Sequence, residues 1–145
     1  MKILSPFGPK LGKVKIPSKI ISQLNNEVNK IIESKSKIKK RDYSKKVVGQ
    51  VYQEIQISKN FINKYLKKFI SKQVSNYLKK SINLKPKKFI IKNLWVVRQF
   101  KNEYNPTHWH SGHIAGAGFL KVPKYLGKHI QQKRNKEYRG GNLQL

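Results

Sequence analysis

Apolar residues recur at helical spacing in two stretches of this chain and alternate at strand spacing in others. Ile20, Ile21, Leu24, Val28, Ile31 and Ile32 share one face of a helix, with Pro17 just ahead and Ser18 placed to cap it. A longer stripe begins after Ser58, a second capping candidate. Phe61, Ile62, Tyr65, Leu66, Phe69, Ile70, Val74, Tyr77, Leu78 and Ile82 form one apolar face, and Lys and Asn occupy the other. A stripe this wide is a core face that packs on a sheet. A basic amphipathic helix lying on a membrane or on nucleic acid is the competing reading.

Strand signals are shorter. Leu11 to Ile16 alternates and ends at Pro17. Val47, Val51, Ile55 and Ile57 mark an extended segment, and residues 34–46, charged and unpatterned, read as a loop. Beyond Pro86, Phe89 to Ile91 and Leu94 to Phe100 are rich in β-branched and aromatic residues. Asn105-Pro106 is a turn signal, and His108 to Val122 reads as extended, with Gly112, Gly116 and Gly118 inside it. A polar stretch from Pro123 to Tyr138 leads to Gly140-Gly141, which opens a last strand. Helices first and strands after argue an α+β fold with a mostly antiparallel sheet. Residues 1–145 form one domain, with a helical lead over 1–86 and the sheet-forming core over 87–145.

The chain has 145 residues, one domain's worth, with 33 Lys and Arg against 6 Asp and Glu and a net charge of +27. Such a balance attracts polyanions by counterion release, so non-specific polyanion binding and a basic nucleic-acid-binding protein are direct readings of it. Only Arg41, Arg98, Arg134 and Arg139 among the basic residues are Arg, however, and the Lys are spread along the chain. Proteins that read nucleic acid favour the bidentate Arg fork. A Lys-, Ile- and Asn-rich composition instead fits A/T-rich coding. With no Cys there is no disulfide framework, zinc-thiolate site or catalytic thiol. No apolar run is long enough for a membrane span, and Pro6 and Pro9 interrupt any apolar signal core, so no membrane association and a cytoplasmic location are expected.

Candidate chemistry sits in one block. His108, His110 and His113 fall within six residues. In a strand, residues two apart face the same side, so His108 and His110 could hold one ion while Trp109 points away. Two surface histidines on an edge strand give the same spacing with no ligand. A neighbouring aliphatic strand, the Pro turn and the glycine-rich segment that follows favour the metal reading.

Those residues also carry a resemblance. Leu94-Trp95-Val96-Val97, Glu103-Tyr104-Asn105-Pro106-Thr107-His108-Trp109-His110-Ser111-Gly112 and Ala115-Gly116-Ala117-Gly118-Phe119-Leu120-Lys121-Val122-Pro123 resemble 2-oxoglutarate- and Fe(II)-dependent oxygenases. The similar branch is one common in marine bacteriophages and bacteria. Phe7-Gly8-Pro9 and Val47-Val48-Gly49-Gln50-Val51 before Glu54 extend the likeness weakly upstream. It implies a double-stranded β-helix, or jelly-roll, with the N-terminal helices packed on it. It also implies an Fe(II) cofactor held by His108 and His110, 2-oxoglutarate as cosubstrate, and hydroxylation of a C–H bond. The second ligand is His where most of the superfamily has a carboxylate.

Two expected parts are missing. The family pattern places a third ligand His, then an Arg or Lys for the cosubstrate's distal carboxylate, beyond a G-G-x-L strand. Gly140-Gly141-Asn142-Leu143 matches the start of that strand, so the resemblance reads the chain as C-terminally truncated and unable to complete the triad in the usual manner. His113 could substitute only through a bulge near Gly112, and His129 reads as a solvated loop residue. Arg98 and Tyr104 are weak candidates for contact with the cosubstrate; an outward-facing strand residue is the plainer reading of Arg98, and Arg139 is not assigned. A non-enzymatic cupin-like metal protein is the remaining alternative. Substrate, small-molecule or peptidyl, and oligomeric state are not legible.

Overall fold

A computed structural model describes residues 1–5, 8, 10–106 and 108–124. It divides into two compact units, Met1–Pro106 and Thr107–Leu145. Within the described residues the fold is α+β, with helices and two 2-stranded antiparallel sheets. The jelly-roll expected from the resemblance is not among them.

The first unit opens with a short hairpin. Strand β1 (Lys2–Leu4) pairs with β2 (Leu11–Lys13), Ile3 opposite Gly12. The alternation through Ile16 predicts a longer strand, but pairing stops at Lys13, because β1 supplies only three partners. Helix α1 (Ser18–Ile32) follows and buries Leu24, Val28 and Ile31, the inner row of the expected stripe. Ser18 is its first residue rather than its cap: Pro17 takes the N-cap position, and its carbonyl accepts from the Ile20 and Ile21 amides.

Residues 34–46 are not the loop their polarity suggests. They form α2 (Lys35–Arg41) and a 3₁₀ turn at Ser44–Lys46. The Ser34 hydroxyl accepts from the Lys37 amide and starts α2. No residue of α2 is fully buried, so periodicity could not reveal it.

Strand β3 (Gln53–Gln56) lies inside the expected extended segment and buries Glu54 and Ile55. Ser58 does cap the next helix, its hydroxyl accepting from the Phe61 amide at 3.2 Å. The helical run passes through α3 (Lys59–Phe61), a π turn at Ile62–Leu66 and α4 (Lys67–Ile82). Ile62 and Leu66 are its buried apolar residues, while Ile82 is exposed. Asn83 ends the run in the left-handed region, its amide returning to the Lys79 carbonyl. The C-terminal half of α4 carries the hairpin: the Tyr77 hydroxyl donates to the Lys10 carbonyl at 2.6 Å, and the Lys10 ammonium donates to the Ser81 carbonyl. A Cβ at Gly12 would stand 2.8 Å from the Tyr77 ring, which is why the β2 position facing it carries none.

Strand β4 (Trp95–Arg98) returns antiparallel to β3, pairing Gln53 with Arg98 and Ile55 with Val96. This ladder joins residues from both sides of position 86. Phe89 to Ile91, expected as strand, is irregular. The core thus collects Leu24, Val28, Ile31, Val51, Ile55, Ile57, Ile62 and Leu66, around a sheet reached from both directions along the sequence.

Candidate metal centre

The pair singled out in the sequence is brought together. The His108 and His110 Nε2 atoms lie 3.1 Å apart, and the two rings stand nearly perpendicular, 75° between planes with centroids 4.7 Å apart. Both side chains are exposed, and Trp109 between them is 92 % exposed. They do not sit on a strand. Residues 108–124 contain no regular secondary structure, and Gly112, at φ 117°, breaks the extended run expected there. Among the described residues no strand pairs with it, so an extended stretch there gains no ladder bonds from them. The imidazoles therefore converge through side-chain rotation rather than through shared strand facing.

A single ion can use this spacing. With metal–nitrogen bonds of about 2.1 Å, two imidazole nitrogens 3.1 Å apart subtend roughly 95° at the ion. That is the angle between adjacent positions of an octahedron, the geometry of two members of a facial triad. The same separation also suits an N–H···N hydrogen bond, in which one Nε2 keeps its proton.

A third ligand is not supplied by the described residues, among which no group of three or more His, Cys, Asp or Glu could hold a metal. His113, three residues on, does not join the pair in such a group. His129, Arg139 and the Gly140 to Leu145 strand lie outside the described residues. The donors present fit two of the three positions.

Arg98 and Tyr104 belong to the first unit. Arg98 is half-buried on β4; its guanidinium donates to the Gln53 side-chain carbonyl and lies 5.2 Å from the centre of the Phe100 ring. Tyr104 is 52 % exposed and is tied through its backbone to Gln50, whose amide donates to its carbonyl at 2.9 Å. Sequence reasoning missed Glu103. Its carboxylate accepts from the Tyr52 amide at 2.8 Å and the Phe100 amide at 2.7 Å, fixing the turn at Asn102. The signal available was an acidic residue next to a turn in a chain with only 6 carboxylates.

Glu54, 2 % exposed, is a buried carboxylate of the first unit that the sequence did not flag beyond its place in the upstream likeness. Its side chain reaches the Gly49 backbone, where Asn105 also packs, so a Cβ at Gly49 would collide with both. The Asn105-Pro106 turn is thereby anchored to β3.

Comparison of the chain with protein-family models, with curated proteins and with solved structures finds no match to any of the three.

Proposed function

We propose that the chain is an oxygenase of the 2-oxoglutarate- and Fe(II)-dependent type, with His108 and His110 as two of the iron ligands. The observation that carries this reading is the 3.1 Å approach of the two Nε2 atoms, which suits adjacent positions on one ion. The sequence block around them supports the choice of iron and cosubstrate. With the reading goes a jelly-roll core, to which the antiparallel β3–β4 pair would belong.

Binding through Nε2 requires each ring to keep its proton on Nδ1. Two neutral imidazoles leave the ion's positive charge uncompensated where most of the superfamily supplies a carboxylate. An anionic, chelating cosubstrate is correspondingly favoured. Fe(II) with 2-oxoglutarate would supply hydroxylation of a C–H bond with dioxygen as the oxidant, one oxygen atom entering the substrate and the other the succinate left when 2-oxoglutarate loses carbon dioxide. The exposed Trp109 ring beside the pair offers an apolar surface to a substrate approaching it.

The test is Fe(II)-dependent conversion of 2-oxoglutarate to succinate by the purified chain under air. Succinate formed by the wild type and abolished in His108→Ala supports the reading. Tight metal binding with no succinate would leave a non-enzymatic metal protein in its place.

A further inference from the structure

We infer that the exposed face of α2 and the 3₁₀ turn after it is a docking surface for the phosphodiester backbone of nucleic acid, read without regard to base sequence. Residues 35–46 hold seven basic side chains, Lys35, Lys37, Lys39, Lys40, Arg41, Lys45 and Lys46, against one carboxylate, Asp42. Lysine is spread along the whole chain, but over half of this short stretch is basic. The structure turns that local excess outward. All six lysines of the stretch are exposed, while Ile38 and Tyr43 turn inward.

The patch is also held in place. Asp42 bridges to Ile55 of β3, and the Tyr43 amide donates to the Glu54 carbonyl at 2.8 Å. The Tyr43 ring stacks on Trp95 of β4, centroids 5.4 Å apart. At its other end, Lys37 reaches the Lys30 carbonyl of α1 at 3.5 Å. The cations are therefore presented by a short helix whose C-terminal end is held on the β3–β4 sheet, so less backbone ordering remains to oppose binding. Asp42, whose carboxylate accepts from the Ser44 amide at 2.9 Å and the Ser44 hydroxyl at 2.7 Å, offsets only one of the seven positive charges.

Chemistry selects among polyanions. Insertion into a lipid surface needs exposed apolar side chains beside the cations. No large apolar residue of 35–46 is among the exposed ones. Base reading needs Arg forks or free aromatic faces. The stretch has a single Arg, and its one aromatic ring is covered by Trp95, with the Lys46 ammonium 5.6 Å from its centre. What remains is an array of point charges that releases counterions from a phosphate backbone.

The experiment compares two charge-matched variants. One carries Lys35→Gln, Lys37→Gln, Lys39→Gln and Lys40→Gln; the other carries Lys67→Gln, Lys68→Gln, Lys72→Gln and Lys79→Gln on the exposed side of α4. Binding to a mixed-sequence oligonucleotide, single-stranded and duplex, is measured across salt concentrations, with circular dichroism confirming that both variants fold. Four lost phosphate contacts should flatten the slope of log K against log salt by about 3 in the α2 variant, at roughly 0.7–0.9 per contact. The α4 variant should change it by about 1 or less. Equal losses in both variants would overturn the assignment, showing that net charge alone binds. So would α2-dependent binding to phosphatidylserine vesicles without binding to the oligonucleotides.

Discussion

The Nε2 atoms of His108 and His110 approach to 3.1 Å although neither residue lies in a strand. Their convergence does not come from shared strand facing. Replacing Trp109 with Ala should leave folding of the first unit, Met1–Pro106, unchanged, since 92 % of that residue is exposed. Thermal denaturation followed by far-UV circular dichroism checks this: the midpoint should stay where it is in the wild type.

The core of the first unit is concentrated in few residues. Ile55 and Leu66 are each 1 % exposed. Ile55→Ala or Leu66→Ala should each cost about 2–5 kcal/mol in urea unfolding, from lost burial and the cavity left behind. Ile90, 66 % exposed, serves as the contrast, and its Ala variant should stay within about 0.5 kcal/mol of wild type.

Gly49 is held between two side chains. A methyl group there would meet Asn105 Oδ1 and Glu54 Oε1, and Glu54 is too buried to swing away. Gly49→Ala should therefore destabilise by about 1–3 kcal/mol, as overpacking does. The double variant Gly49→Ala with Asn105→Gly should recover part of that loss in the same denaturation assay.

Asp42 links stability to pH. Hydrogen bonds from the Ser44 hydroxyl and amide hold its carboxyl below its ordinary value of 3.8, opposed by burial and helped, to a smaller extent, by Lys45. A depressed folded value means the stabilisation is fully present above about pH 4 and is lost as pH falls through the folded pKa. Asp42→Asn should flatten the acid limb of the stability curve and leave its shape near neutrality unchanged. Denaturant midpoints measured from pH 7 down to pH 2 would show it.

Much of the fold is legible in the sequence where burial is periodic. Leu24, Val28 and Ile31 follow helical spacing, and α1 buries those three. The Ser58 cap and the stripe from Phe61 onward mark the long helical run. Helix α2 escapes because Ile38 is its one apolar residue; its readable signal was the Ser34 cap in a stretch without Gly or Pro. The β1 strand escapes because three residues carry no usable pattern. The strand expected over residues 108–122 gives way to irregular chain at Gly112, yet the residue pair it was meant to present comes together all the same. Spacing in sequence showed that the two rings could meet; it could not show that they meet outside a sheet.

A metal held by the two imidazoles is tested most directly by an anaerobic Fe(II) titration of the wild type, His108→Ala and His110→Ala. One equivalent of Fe(II) should bind the wild type, and either substitution should weaken binding by more than the roughly 10–100-fold that loss of a mere supporting hydrogen bond causes. Wild-type protein that binds no Fe(II), or variants that bind it as tightly as the wild type, would contradict the account.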